Sequence, residues 1–310
     1  MTRPIVSVAM SVYNAEPYLA AAIESILNQT FKDFEFIIID DGSTDNSLKT
    51  LQKYAAQDQR IRLTSRENRG IPQTRNEILA QSQGEFIAVM DADDIALPDR
   101  LARQVDFLQK HPEVVWVGGA FEVIDEKSRF LTTFYMAEDN DTIQHILTEG
   151  HTSFLHSTAM IRRSSLLQIN GYNEAFATGS DLDLWLRLTE IGAVANLAFP
   201  VVKYRLHTRS ITSRSRQHHQ QSNTRTILER AWQRRGWPKR DFETIGSRLH
   251  PQANHQSQFE YMLQYGWWAF NSRQRSTAVI YGIRAIKMNP FSQLGWKLLA
   301  CSIIKPLPKG

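Results

Sequence analysis

Two hydrophobic periods take turns four times within the first 110 or so residues, and this alternation constrains the fold more than any other feature of the chain. Residues 6–12 alternate and are rich in Val, as a strand requires. Leu19, Ile23, Ile26 and Leu27 then recur at spacings of three and four, which predicts a helix over 17–29. The run at 34–39 is almost wholly apolar, as in a strand covered on both faces, and a helix carrying Leu48, Leu51 and Tyr54 follows. A strand at 61–63 leads to a helix opened by Pro72, and a strand at 86–90 to one begun by Pro98. Such an order predicts an α/β fold with a mostly parallel sheet, helices on both faces and right-handed crossovers. Ligands of these sheets bind beyond the carboxyl ends of the strands. Asp40, Asp41, Asp91, Asp93 and Asp94 stand at those ends.

Past residue 112 the pattern loosens into expected strands at 114–118, 121–124, 130–135, 157–161, 194–198 and 201–206. Helices are expected near 141–149 and 183–190. From about 215 onward only helices are read, near 217–235, 255–271, 274–288 and 293–304. The polar, basic stretch 208–216 sets an expected boundary, with one domain over 1–210 and a helical region over 211–310. Charge follows the same division. Residues 200–310 hold 19 Lys/Arg against 4 Asp/Glu, whereas residues 1–199 hold 17 against 28. The acidic part suits a cation and the basic part an anionic surface.

Composition excludes several classes. With 42% hydrophobic and 22% charged residues the chain is neither disordered nor fibrous. A single cysteine, Cys301, rules out an intramolecular disulfide and a thiolate zinc site. No apolar run reaches the ~18 residues of a spanning helix. The apolar stretch at 5–12 has one Arg before it and no cleavage site after it, so a signal peptide is not expected.

There is no G-x-G pair and no Walker sequence, so a glycine loop is not the expected phosphate cradle. Asp91-Ala92-Asp93-Asp94 offers another route. Residues two apart at an extended strand end face the same side, so Asp91 and Asp93 can converge on one ligand. Carboxylates without Cys, and without a His-x-x-x-His pair, favour Mg²⁺ or Mn²⁺ over zinc, with open positions for diphosphate oxygens. The plainer reading is a surface turn that caps the next helix. Asp40-Asp41-Gly42-Ser43-Thr44-Asp45 likewise reads as an Asx turn and cap, but two carboxylates exceed what a turn needs. One of them could accept a uracil or thymine imide N–H, or ribose hydroxyls.

With these pieces placed, the chain resembles glycosyltransferase family 2, nucleotide-sugar transferases of the GT-A fold. The resemblance is carried by residues 6–14, 25–31, 40–45, Asn68-Arg69-Gly70 with Arg75-Asn76, and 91–94. It continues through Gly171-Tyr172, 181–187 and 204–207, in order over roughly residues 5–210. It implies that Ser11 and Tyr13 line the nucleotide pocket. Asp41 would bind the base with Asp40 nearby, and Arg75 would contact the nucleotide. Asp91 would touch the ribose side and Asp93 would hold the metal. Asp181 matches the catalytic base, although Ser180 stands where the family more often has Glu. Asp183 is the fallback, Trp185 a candidate acceptor platform and His207 a candidate for the metal or diphosphate. No specific signal marks His151 or His156.

The resemblance further implies an inverting transfer from a nucleoside-diphosphate sugar (UDP or dTDP type) to an acceptor hydroxyl. The expected setting is synthesis of a bacterial-type surface polysaccharide or lipid-linked glycan. The expected location is cytoplasmic, with peripheral attachment to the inner face of the plasma membrane as one reading of the basic tail. Trp296, Leu299 and Ile303 recur at helical spacing beside Lys297 and Lys305, which suits an anionic lipid surface; an ordinary packed helical subdomain suits the pattern equally. No nucleic-acid motif accompanies the charge. Two other readings stand beside the main one. A sugar-nucleotide nucleotidyltransferase would normally show a Gly-rich basic loop after the first strand, which residues 11–14 are not. A non-catalytic binding protein would be expected to have lost some of Asp41, Asp93 and Asp181, and all three are present.

Overall fold

The apolar runs of the first third become a stack of parallel strands. The computed structural model describes residues 3–151, 154–207, 217–238 and 255–308, apart from the side chains of 217–222. Its elements begin with β1 (Val6–Val12), α1 (Glu16–Leu27), β2 (Phe34–Asp41) and α2 (Ser47–Gln57). Then come β3 (Ile61–Arg66), α3 (Ile71–Gln81), β4 (Phe86–Val89), the short β5 (Ile95–Ala96) and α4 (Arg100–Lys110). β3, β2, β1 and β4 lie side by side and parallel, with Val12 opposite Asp40 and Asp41 opposite Arg66. Every residue of β2 is buried, as its unbroken apolar run requires. This is the mostly parallel α/β arrangement read from the periodicity.

Antiparallel strands extend the sheet. β8 (Met160–Arg162) pairs with β4 on one side and with β6 (Val114–Asp125) on the other. β9 (Ala193–Leu206) lies beyond β6 and carries β5, giving the order β3-β2-β1-β4-β8-β6-β9-β5. Both β6 and β9 are single strands where the sequence suggests two. At Gly118 the reason is a close approach: a Cβ there would stand 2.3 Å from Asn196 Oδ1. The glycine admits a neighbouring side chain and does not end the strand.

By its contacts the chain divides into two compact units. The first comprises 1–121, 135–203 and 216–246, and the second 122–134, 204–215 and 247–310. The expected boundary stretch, 208–216, lies outside the described residues. The first unit also contains α5 (Asn140–Thr148), α6 (Arg163–Gln168), α7 (Ser180–Leu188) and α8 (Gln217–Arg234). Ile227, Leu228, Ala231 and Trp232 of α8 join a buried cluster with Trp116, Leu184 and Leu188. Trp232 Nε1 donates to the Thr148 carbonyl at 3.0 Å, so its buried indole N–H is satisfied.

The second unit holds β7 (Phe130–Phe134), which pairs with the end of β6, and the helices α9 (His255–Asn271), α10 (Arg275–Met288) and α11 (Gln293–Ile304). Gly282 lets α10 and α11 touch, since a Cβ there would come within 2.9 Å of Leu299 Cα. At the turn between β6 and β7, buried Asp125 accepts from Arg129 Nε at 2.7 Å and from Tyr281 Oη at 2.9 Å. Among the described residues no helix is long and apolar enough to cross a membrane.

Candidate active site

The loops that leave β1 and β2 are clamped to each other by side chains. Asn14, in the left-handed region at φ 52°, accepts through Oδ1 from the backbone N–H of Thr44 at 2.7 Å and of Asp45 at 3.3 Å. Asp45 accepts from the Ser47 N–H at 2.9 Å and the Glu16 N–H at 3.1 Å. Gly42 turns the second loop at φ 74°, where a Cβ would meet Asn68 N at 2.7 Å, so only glycine fits. Tyr13 is 50% exposed on this rim. Ser11 lines a hollow together with Ala9, Met90, Arg75 and Tyr172.

The two carboxylates at the end of β2 are buried and engaged. Asp40 accepts from the Ser43 N–H at 3.3 Å and from Ser65 Oγ at 2.8 Å. Asp41 pairs with Arg66 and accepts from the backbone N–H groups of Arg69 at 2.8 Å and Gly70 at 3.0 Å. It therefore shapes the loop entering α3 and uses three of the roughly four acceptor positions of a carboxylate.

Asp91 is the centre of the charge cluster. Arg75 Nη2 lies 3.3 Å from its Oδ1, and the same guanidinium sits over the Tyr172 ring at 5.4 Å. Burial pushes the Asp91 carboxyl above the usual range; the Arg75 cation opposes this, while the negative charges of Asp93 and Asp181 add to it. Asp91, Asp93, Asp181 and Arg75 thus share one electrostatic neighbourhood although 106 residues separate Arg75 from Asp181 in sequence.

The backbone that presents these acids differs from the expected extended end. β4 stops at Val89 and residues 91–94 form a turn, with the Asp94 N–H 3.4 Å from the Asp91 carbonyl. Asp93 is partly exposed. Asp94 is fully buried and accepts from Ser157 Oγ, so it anchors the turn. Beneath it lies Arg100, also fully buried, whose Nη2 donates to the Val89 carbonyl at 2.7 Å and reaches that of Ala159 at 3.3 Å. Burial lowers the Arg100 pKa to about 10, and the charges of Asp94 and Asp91 limit the fall. Nothing in the aspartate pattern announced Arg100. The available signal was Arg100 and Gln104, four residues apart and next to the apolar positions Leu101, Val105 and Leu108.

Asp181 occupies the first turn of α7, after Gly179 in the left-handed conformation at φ 81°. It is partly exposed, and its Oδ1 accepts from the Leu182 N–H at 2.9 Å. Two expectations about this helix are corrected. Asp183 is buried and bonded to Arg187 Nε at 2.7 Å, so it is not available as an alternative base. Trp185 is only 2% exposed, packed 4.7 Å from the Trp116 ring, and has no face to offer an acceptor. His207 follows β9 in the second unit and is half-buried.

The sequence passed over His156, which the fold brings to Asp91. The imidazole is 7% exposed, with Nε2 3.0 Å from Tyr172 Oη and Nδ1 4.0 Å from Asp91 Oδ1. Burial, reinforced by the Arg75 and Arg100 cations, holds its pKa well below the ordinary value, so it is neutral at pH 7. Burial pushes the Tyr172 hydroxyl up to about 12. Tyr172 is fixed by Asn76, which accepts from its N–H at 2.8 Å and donates to its carbonyl at 2.9 Å.

Among the described residues no three His, Cys, Asp or Glu side chains form a ready metal cage. The donor set nevertheless fits a hard divalent cation of the Mg²⁺ type, which needs only one or two carboxylates when substrate phosphates complete its shell.

Residues 7–169 match the sequence profile of Glycosyl transferase family 2. The O-antigen biosynthesis glycosyltransferase WbnJ of Escherichia coli is 32% identical over 66% of this chain and 81% of its own. Staphylococcus aureus TarS 1-349, solved with UDP-GlcNAc, superposes with a TM-score of 0.56 at 17% identity over 96% of this chain and 79% of that one. The mannosyltransferase PcManGT from Pyrobaculum calidifontis, solved with GDP-Man and Mn²⁺, gives 0.55 at 18% identity over 97% and 79%. The two structural likenesses carry the fold, which is GT-A, and the sequence matches carry the family. With its acids gathered at the carboxyl ends of the parallel strands, the chain belongs to glycosyltransferase family 2.

Proposed function

We propose that this glycosyltransferase moves a sugar from a UDP- or dTDP-sugar to an acceptor hydroxyl with inversion, using Asp181 as the base. The observation that carries this reading is the gathering of Asp91, Asp93 and Asp181 in one charge cluster, with Arg75 3.3 Å from Asp91. Like charges so close repel unless a cation joins them. Asp93 is the residue assigned to hold Mg²⁺ or Mn²⁺, which when bound would offset the charge on the leaving diphosphate. Arg75 adds a fixed positive charge on the nucleotide side. Asp181 is partly exposed, so it can meet an acceptor hydroxyl and take its proton. A solved relative in fold holds GDP-Man with Mn²⁺ and another holds UDP-GlcNAc, which supports a nucleotide-sugar donor with a divalent cation.

The nucleotide would lie along Ser11 and Tyr13, whose half-exposed ring can stack on a base. Asp41, with one acceptor position left, would take the imide N–H, with Asp40 fixing the same loop. The acceptor is a glycan or lipid-linked glycan, in keeping with the O-antigen synthesis of WbnJ. Attachment to the inner face of the plasma membrane would use the second unit. There Phe291 is 97% exposed, and Leu294, Trp296, Ile303 and Ile304 are exposed beside Lys297 and Lys305.

Calorimetry with UDP-, dTDP- and GDP-sugars in Mn²⁺ tests the reading. Metal-dependent binding of a UDP or dTDP sugar, abolished in Asp93→Ala, is expected. Binding of equal strength without metal would remove the assignment of Asp93.

A further inference from the structure

We infer that His156 Nδ1–H and the Asp91 carboxylate form a donor–acceptor pair that grips one hydroxyl group of the sugar nucleotide; the inference rests on the donor reading above. Three observations lead there. His156 is 93% removed from solvent, and its Nδ1 has no hydrogen-bond partner among the described residues. A buried polar atom left unpaired is costly, and a ligand that pairs it removes that cost. It faces Asp91 Oδ1 at 4.0 Å, too far for a direct bond. An oxygen about 2.8 Å from each atom would subtend roughly 90°, within reach of a hydroxyl that accepts from one and donates to the other. A carbonyl could satisfy only the N–H, and a methyl group neither.

The tautomer follows from the surroundings. The groups that face the imidazole are Asp91, Tyr172, Arg75 and Arg100. With the proton on Nε2, a bare Nδ1 would point its lone pair at a carboxylate. With the proton on Nδ1, Nε2 accepts from the Tyr172 hydroxyl at 3.0 Å and the remaining N–H points toward Asp91. Both arginines oppose a second proton.

Position is fixed as firmly as protonation. His156 opens a turn over His156–Thr158. The next residue, Ser157, donates to Asp94, and the Thr158 carbonyl accepts from Gln104 Nε2 at 2.7 Å. Consecutive residues of one turn therefore hold Asp94 and face Asp91, so the 4.0 Å gap is set by the fold.

The test uses His156→Gln, whose amide reaches the Nε2 position, and His156→Asn, whose amide nitrogen replaces Nδ1. Each is titrated with UDP and with UDP-N-acetylglucosamine in Mn²⁺, and its melting temperature is recorded. His156→Gln is expected to bind about tenfold more weakly, while His156→Asn stays within about threefold of the unsubstituted chain. Weakening with UDP itself assigns the hydroxyl to the ribose; weakening with UDP-N-acetylglucosamine alone assigns it to the transferred sugar. Equal losses in both variants would make His156 a packing residue and overturn the inference. So would a His156→Gln variant that binds like the unsubstituted chain. An unsubstituted chain that binds neither of these, nor dTDP or a dTDP-sugar, overturns the donor reading and this inference together.

Discussion

Asp91 in the first unit is partly buried and Asp125 in the second fully so, and their acidities move in opposite directions. Burial by itself raises both. Asp125 has company enough to reverse the effect: the N–H groups of Lys127 and Arg129, the Arg129 guanidinium and the Tyr281 hydroxyl hold it below its ordinary value. Asp91 has Arg75 at 3.3 Å and two like charges, and rises. A carboxylate saturated by its own chain is a structural joint, whereas one short of donors and pressed by other acids is arranged for something that arrives later.

The contrast can be broken in four ways. The largest effect belongs to Asp181→Asn. Transfer to any acceptor should fall by about 10²–10⁴, the usual worth of a general base, while donor affinity is kept. Normal turnover by this variant would place the base elsewhere. Next comes a pair of urea titrations. Asp125→Asn strands a charged partner and should cost about 2–3 kcal/mol, whereas Asp91→Asn relieves repulsion and should stay within about 1 kcal/mol of the parent while losing donor affinity. If Asp91→Asn proves the more damaging to stability, the contrast is wrong.

A smaller effect concerns pH. Neutral His156 in the folded chain becomes an ordinary histidine on unfolding, so below about pH 6.5 the unfolded state binds one proton more. Stability should therefore drop as pH falls, by up to about 1.4 kcal/mol per unit. A raised Asp91 acts with opposite sign at lower pH, so the comparison is best made in an Asp91→Asn background, with and without His156→Gln. An unchanged slope on removing His156 would refute a neutral buried imidazole. Smallest is the exposed end of the second unit. Lys297→Glu should weaken flotation with anionic vesicles, by about 1 kcal/mol for each charge lost, and leave neutral vesicles unaffected. No salt-sensitive flotation at all would leave this surface as a plain packed helix end.

What could be read in the sequence divides along physical lines. Of the four parallel strands, β1, β2 and β4 were legible because their apolar runs are almost wholly buried, whereas β3 at the sheet edge is only partly buried and showed only a short apolar signal. Asp91, Asp93 and Asp181 were singled out in sequence through the family resemblance, and the fold brings their charges together around Asp91. Trp185 was misread, since a tryptophan beside an acid looks the same in sequence whether its ring lies in the core or at the surface. His156 was missed because its meaning depends on Asp91, 65 residues away, and on Arg75 and Tyr172 on either side of it. Gly118 hid the continuity of β6, because a glycine that admits Asn196 and a glycine that ends a strand read alike.

Arg100 gives the acidic turn a foundation that lies outside it. Because its guanidinium reaches the carbonyls of Val89, at the end of β4, and of Ala159, which leads into antiparallel β8, the acidic turn hangs from the first residue of α4. Inserting one residue just after Arg100 would turn the rest of α4 by about 100° against it and part Arg100 from Gln104, which accepts from its Nε at 3.1 Å. Substitutions on the outer side of α4 should drift freely through evolution, but a change in its length would be felt at the chemistry.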